Sequence, residues 1–432
     1  MFQPEIETMP AAQLRELQEK RLQELFAWVD ARVPFYAERL KEAGIQASSA
    51  TLEDLQKLPF TRKDDLRDHY PFGLFAVPRE EVARIHASSG TTGKPTVVGY
   101  TKDDLQVFGE VCARSLAAAG ATSAMRLHNA YGYGLFTGGL GMHAGGETLG
   151  MTVVPVSGGM TDRQIRLLQD FSPEVICCTP SYALTLAGEF RKRGIERKDY
   201  ALQYAVLGAE PWTEAIRQEV EEQLQIKATN IYGLSEIIGP GVSQEAVGER
   251  GTGSYIWEDH FYPEVVHPET GEVLPEGEVG VLCLTTLTKQ ALPLIRYWTG
   301  DLCWLKRNHG GARTHVKMGP VVGRSDDMLI IRGVNLFPSQ LEEVLGEMPA
   351  FSPHYQIVVE REKTLDTVKL RVEPSTPLSE ESRLEKVREL QRRIHSSVGL
   401  NLTVLLEEEG SVPRSEGGKL SRVNDRRTDL KG

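Results

Sequence analysis

Between residues 151 and 231 the chain alternates short apolar, β-branched runs with charged helical stretches, and this rhythm limits its possible folds more than any other feature. Strands are predicted over 151–156, 175–178, 205–207 and 228–231, with helices over 161–170, 181–193 and 213–224 between them. A helix between successive strands is the crossover that parallel pairing needs, so the pattern predicts α/β layers around a largely parallel sheet. From about 264 to 305 the text changes to strands with turn punctuation, Pro268-Glu269-Thr270-Gly271 and Pro275-Glu276-Gly277, which predicts an antiparallel β subdomain. Beyond Gly323-Arg324-Ser325-Asp326-Asp327 comes a small α+β tail, with strands at 329–332, 355–360 and 368–372 and helices at 339–346 and 380–396. Residues 11–44, with Leu14, Leu17, Leu22, the pair Leu25 and Phe26, and Val29 recurring every three to five residues, read as amphipathic helix. Two domains follow, 1–325 and 326–432.

At 432 residues, 40% hydrophobic and 25% charged, the chain can bury a sizeable core. The formal net charge of −11 argues against nucleic acid or an anionic membrane as partner. Five cysteines (Cys112, Cys177, Cys178, Cys283 and Cys303) lie scattered in apolar contexts without a C-x-x-C pair, as reduced thiols do. The first 21 residues lack the basic-then-apolar order of a signal peptide, and no apolar run reaches the roughly 18 residues that a membrane span needs. A cytoplasmic protein is expected.

Chemistry concentrates in five segments. Ser88-Ser89-Gly90-Thr91-Thr92-Gly93-Lys94-Pro95-Thr96 combines hydroxyls, two glycines and a lysine, a composition suited to gripping phosphate. It is not a Walker loop: Ser88 stands where the first glycine belongs, and Pro95 where the hydroxyl after the lysine belongs. The segment 131–139 (Tyr-Gly-Tyr-Gly-Leu-Phe-Thr-Gly-Gly) fits either a flat ligand between aromatic walls or tight core packing. Tyr232-Gly233-Leu234-Ser235-Glu236 offers a stacking face, a phosphate donor and a magnesium carboxylate, or a capping turn. Thr299-Gly300-Asp301 carries a turn-borne carboxylate able to accept from two ribose hydroxyls, or a simple Asp turn. Pro413-Arg414-Ser415-Glu416-Gly417-Gly418-Lys419 is a glycine-rich lysine loop, or a basic tail.

In this order the segments resemble those of the adenylate-forming superfamily of acyl- and aryl-CoA synthetases, over nearly the whole chain. Within it the chain is most similar to the bacterial phenylacetate-CoA ligases. The likeness runs through 86–100 around the first loop, 130–141, Gly208-Ala209-Glu210-Pro211-Trp212-Thr213, Trp257-Glu258-Asp259-His260-Phe261-Tyr262-Pro263 and 324–335.

The resemblance implies a two-step ligation in which a carboxylate and ATP form an acyl-adenylate and pyrophosphate, after which coenzyme A displaces AMP. Family roles carry over by position. Ser88, Ser89, Gly90, Thr91, Thr92, Gly93 and Lys94 would hold the β and γ phosphates, and Lys419 would bridge the carboxylate and α-phosphate as the catalytic lysine. Glu236 would hold Mg2+, with Gly233 and Ser235 beside the nucleotide. Tyr232 and the backbone of Gly208, Ala209, Glu210 and Pro211 would recognise adenine, and Asp301 with Arg324 the ribose. The aryl pocket would be lined by Tyr131, Phe136, Gly138, Met142, Ile231 and Pro240, with Met142 shortening it. Asp326 would be the hinge of a mobile C-terminal domain, which brings Arg332, Gly333 and Val334 to the coenzyme A tunnel. A homodimer is implied as well.

Two departures stand out. Many relatives read Thr-Arg-Asp where this chain has Thr299-Gly300-Asp301, so the aspartate's role survives and the arginine's does not. Some relatives carry a cysteine-rich zinc site before the hinge, whereas this chain reads Asn308-His309-Gly310-Gly311-Ala312-Arg313-Thr314-His315, and no zinc is expected. The rival readings are adenylation with transfer to a carrier-protein thiol, a non-catalytic nucleotide-binding module, and a P-loop NTPase.

Overall fold

The alternating stretch forms one half of a nine-stranded sheet in the computed structural model, which describes residues 1–88, 95–210, 212–307, 310–325, 329–331, 334–336, 338–362, 365–414 and 422–426. The sheet runs in the order Leu305–Lys306, Lys317–Met318, Ser254–Ile256, Gly239–Gln244, Lys227–Leu234, Tyr204–Gly208, Val175–Cys178, Arg126–Asn129, Thr152–Pro155. The last five strands of that order are mutually parallel, with the helices Thr161–Asp170, Pro180–Arg193 and Glu214–Leu224 as crossovers. The other half is antiparallel, which corrects the expectation of a largely parallel sheet. The reason is local: Lys227–Leu234 returns to Gly239–Gln244 through a tight turn, and so short a connection permits only antiparallel pairing.

Capping sets where the crossovers begin. Thr179 accepts from the Tyr182 amide ahead of Pro180–Arg193, whose first position is proline, and Thr213 accepts from the Ile216 amide ahead of Glu214–Leu224. Two further helices, Lys102–Ala118 and Thr137–Leu149, are absent from the sequence reading. They pack at a distance only glycine allows: a Cβ at Gly145 would stand 2.4 Å from Cys112 Cβ, and one at Gly141 would stand 2.3 Å from the Phe108 ring. Much of the glycine in the aromatic-glycine segment and its helix therefore serves core packing.

The antiparallel subdomain is a four-stranded sheet, Phe261–Val266, Gly280–Thr286, Tyr297–Cys303 and Gly323–Arg324. Ala11–Asp30 and Pro34–Glu42 form the N-terminal helices, and Leu22, Leu25, Phe26 and Val29 pack into the main core. The C-terminal region has a separate core, built from Leu341, Tyr355, Ile357, Leu370, Leu390, Ile394 and their neighbours. Its sheet is ordered Thr403–Leu406, Leu365–Pro374, Phe351–Glu362, Val423–Asp425, and the two short edge strands escaped the sequence reading. All five cysteines are buried and free. Among the described residues no helix is long and apolar enough to cross a membrane.

Candidate active site

Parallel strands end on one edge of their sheet, and loops leaving that edge are where an open α/β sheet forms a ligand crevice. Tyr131 follows Arg126–Asn129, Ala209 and Glu210 follow Tyr204–Gly208, and Ser235 and Glu236 follow Lys227–Leu234, so residues from three motifs share this edge. Lys227–Leu234 overshoots its neighbour. Its pairing with Tyr204–Gly208 ends at Ile231, and Tyr232 to Leu234 pair only with Gly239–Gln244. A Cβ at Gly233 would stand 1.8 Å from the Gly239 carbonyl oxygen, so the glycine is required for this hairpin to close.

Tyr232 reaches across to the second sheet, where its hydroxyl donates to Asp301 Oδ2 at 2.6 Å. Arg324 Nη1 donates to Asp301 Oδ1 at 2.7 Å and Nη2 to the Thr299 carbonyl at 3.2 Å. Asp301 and Arg324 are register partners on adjacent strands, which fixes the ion pair. The Asp301 amide donates to Thr299 Oγ1 at 3.0 Å, and Gly300 takes φ +82°, a left-handed conformation that glycine adopts without strain. Burial, then the Asp301 charge, pushes the Tyr232 phenol well above its ordinary pKa, so it stays a donor. Three residues predicted from separate motifs thus form one cluster.

Glu236 sits in the turn between Lys227–Leu234 and Gly239–Gln244 and is only 6% exposed. Tyr297 hydrogen-bonds its carboxylate, and Lys63 Nζ lies 4.0 Å from Oε1. Lys63 is partly solvent-exposed, so one side of the carboxylate faces a displaceable cation. Behind the turn, Tyr100 donates to the Ile238 carbonyl at 2.9 Å and Lys289 Nζ to the Ile237 carbonyl at 2.9 Å. Ser235 Oγ lies 3.3 Å from Thr137 Oγ1. Sequence reading missed Lys63, Tyr100, Lys289 and Tyr297. The usable signal was Lys289 itself, a lone lysine between two apolar runs.

At the Gly208 loop, Ala209 adopts φ +70°, uncommon outside glycine, and the sharp turn carries Glu210 back toward the start of Pro180–Arg193. There Glu210 Oε2 accepts from Ser181 Oγ at 2.6 Å and from the Ser181 amide at 3.2 Å, a carboxylate at a helix N-terminus. Of the residues expected to line an aryl pocket, Tyr131, Met142 and Ile231 are buried, while Gly138 and Pro240 are partly buried. The Tyr131 hydroxyl contacts the Val206 carbonyl at 3.4 Å, and burial pushes its pKa well up. Phe136 is different. It precedes the helix Thr137–Leu149 and is 55% exposed, so it does not join the buried wall.

Ser88 closes the strand Arg84–Ser88 and pairs with Thr96, which places the first loop's two ends side by side. Ser89, Gly90, Thr91, Thr92, Gly93, Lys94, Pro211, Asn308, His309, Asp326, Arg332, Gly333 and Lys419 lie outside the described residues. Val334 is described through its backbone, in the strand Val334–Leu336. Among the described residues, Glu110, Asp259 and His260 are the one acid and histidine group with metal-ligand spacing. Arg114 already fills it, bonding Asp259 at 2.7 and 3.2 Å and Glu110 at 2.9 Å.

Comparison with known proteins converges on one family. Residues 11–288 match the AMP-binding enzyme family, and residues 333–427 match the AMP-binding enzyme C-terminal domain. Phenylacetate-coenzyme A ligase of Thermus thermophilus is 65% identical over 99% of this chain and 100% of its own length. Its counterpart of Escherichia coli is 51% identical over 98% and 97%. Among solved structures, 2-hydroxyisobutyryl-CoA ligase in the postadenylation state with its acyl-adenylate superposes with a TM-score of 0.90 at 29% identity, covering 99% of this chain and 93% of that one. The same protein in the thioester-forming state, with coenzyme A, gives a TM-score of 0.71 at 29% identity.

Proposed function

The chain belongs to the AMP-binding enzyme family, in the branch of the phenylacetate-CoA ligases, and on that premise we propose that it joins phenylacetate to coenzyme A with cleavage of ATP to AMP and pyrophosphate. The observation that carries this reading is the cluster at the carboxyl edge of the parallel strands. Tyr232, Asp301 and Arg324 are joined there, Glu236 stands on the same strand's exit, and Tyr131, Met142 and Ile231, which would wall the aryl pocket, are buried. An aryl ring and a methylene carboxylate need no charged partner in such walls.

In the first step a carboxylate oxygen attacks the α-phosphorus, and the bond to pyrophosphate breaks. In the second the coenzyme A thiolate attacks the acyl carbon, the C–S bond forms and AMP leaves with the electron pair. Two anions meet in step one, so donors and fixed positive charge must be in place beforehand. Ser88 to Lys94 would supply them on the leaving phosphates and Lys419 at the reacting oxygen. Asp301 and Arg324 would orient the ribose, and Tyr232 with the 208–211 backbone the adenine.

Glu236 suits Mg2+: it is an almost buried carboxylate whose charged neighbour among the described residues on the open side, Lys63, can give way to an ion. Bound there beside the phosphates, the ion would neutralise charge building up on pyrophosphate.

The reading extends to two domains, 1–325 and 326–432, moving about Asp326. Rotation would withdraw Lys419 and bring Arg332, Gly333 and Val334 to the pantetheine path. It also takes the enzyme as cytoplasmic and homodimeric. Since the apolar face of Ala11–Asp30 is used within the chain, a dimer would need another surface. The deciding experiment is ligation of free coenzyme A with phenylacetate, its hydroxylated derivatives, benzoate and medium-chain fatty acids. Thioester with phenylacetate and no carrier protein is expected. Activity only with a carrier protein, or ATP hydrolysis without acid, would overturn the reading.

A further inference from the structure

Glu236 is presented by a turn whose backbone is held from behind by two buried side chains drawn from distant parts of the sequence. Tyr100, fully buried, donates to the Ile238 carbonyl at 2.9 Å and approaches the Ser235 carbonyl at 3.4 Å. Lys289, 4% exposed, donates to the Ile237 carbonyl at 2.9 Å, and its ammonium lies 4.3 Å from the centre of the Tyr100 ring. The carbonyls on both sides of Glu236 are therefore tied down, while its carboxylate faces Tyr297 and Lys63.

A buried ammonium is a costly way to satisfy one carbonyl, and an apolar side chain could fill the same space. The acids that act on Lys289 are Asp104 and Glu236. Asp104 is already committed, accepting from the backbone amides of Thr101, Gln290 and Ala291 at 2.9, 2.7 and 2.9 Å. That leaves Glu236 as the acid whose placement the lysine's charge and hydrogen bond can serve. Tyr100 adds a second link, because it ends the strand Thr96–Tyr100, whose partner Arg84–Ser88 leads into the phosphate-loop segment. The turn bearing the carboxylate and the hairpin bearing the loop are thus fastened to each other.

We propose that Lys289, together with Tyr100, is a positioning residue that fixes the Glu236 turn for metal-nucleotide binding. This rests on the reading of Glu236 as the Mg2+ carboxylate. Neither residue touches the reacting atoms. Their effect falls on the metal-dependent half-reaction and not on thioester formation from a preformed adenylate.

The test compares Lys289→Met and Tyr100→Phe with Glu236→Gln. Two responses are read: the Mg2+ dependence of ATP–pyrophosphate exchange, and binding of Mn2+ to the enzyme with a non-hydrolysable ATP analogue by electron paramagnetic resonance. In folded Lys289→Met the half-saturating metal concentration should rise roughly tenfold in both, the loss expected when one charge-assisted bond no longer orders a ligand. Coenzyme A thioester formation from supplied phenylacetyl-AMP should be unchanged. An unchanged metal response in folded Lys289→Met, with Glu236→Gln shifted, overturns the proposal and leaves the Glu236 reading intact. An unchanged response in Glu236→Gln overturns both. Where Lys289→Met does not fold, Tyr100→Phe decides: a weakened metal response supports the proposal, and a wild-type response overturns it.

Discussion

Tyr232 donates its phenol hydrogen to Asp301 Oδ2 at 2.6 Å, while Arg324 holds the other oxygen of the same carboxylate at 2.7 Å. Both oxygens are oriented before any nucleotide arrives, so Asp301 keeps lone pairs pointed at one fixed place. Asp301→Asn substitutes an N–H for one acceptor and sets it against the phenol or the guanidinium. Loss of a charge-assisted bond is worth about 1.5–3 kcal/mol, so the KM for ATP should rise by roughly ten- to a hundredfold. Tyr232→Phe should have a smaller effect, because Arg324 still holds the carboxylate. Steady-state kinetics at saturating phenylacetate and coenzyme A measure both.

Lys419→Ala separates the half-reactions. If Lys419 neutralises charge only while the carboxylate attacks the α-phosphorus, the variant loses pyrophosphate exchange by about a hundredfold or more, as removal of one transition-state donor does elsewhere. It still converts supplied phenylacetyl-AMP to the thioester. Equal loss of both steps would contradict the assignment.

The rhythm of 151–231 made four of the five parallel strands and the three crossovers between them legible, because alternating apolar runs and capped helices are local properties; the fifth, Arg126–Asn129, lies before that stretch. The switch to antiparallel pairing after Leu234 was not, since it depends on a short turn whose closure needs Gly233 beside the Gly239 carbonyl. Tyr232, Asp301 and Arg324 could each be picked out by motif, yet their direct bonding required two sheets to meet. Lys289 and Tyr100 were invisible for a similar reason. Their significance comes from the turn they hold, about 50 and 140 residues away in sequence respectively.

The helix pair Lys102–Ala118 and Thr137–Leu149 should be intolerant of even one methyl group. At Gly145 an added Cβ would stand 2.4 Å from Cys112 Cβ and 2.7 Å from the Cys112 carbonyl carbon, and backbone on that side cannot move away cheaply. Gly145→Ala should lower stability by about 1–3 kcal/mol, against a gain in helix propensity of about 1 kcal/mol at an unhindered site. Gly188→Ala is the control: it lies in the helix Pro180–Arg193 with nothing within 4 Å of the added atom, and should be neutral or stabilising. Urea denaturation of the two variants against the parent tests the contrast.

Acid should weaken the antiparallel end of the large sheet through Glu249. Its carboxylate accepts from the Tyr255 hydroxyl at 2.6 Å, from Lys317 Nζ at 2.7 Å and from the Ala312 amide at 3.0 Å. Burial alone would raise its pKa, but the Ala312, Lys317 and Tyr255 donors outweigh that and lower it to about 2 from an ordinary 4.5. A carboxylate with a depressed folded-state pKa contributes its full stability above the unfolded value and loses it as pH falls through the folded one. The loss attributable to Glu249 should therefore appear between about pH 4.5 and 2 and be absent above it. Glu249→Gln should be less stable than the parent at pH 7, with the difference shrinking through that acid window. Melting temperatures of the two proteins measured from pH 7 to pH 3 test this, and a gap that stays constant on acidification would show that Glu249 is not the titrating group.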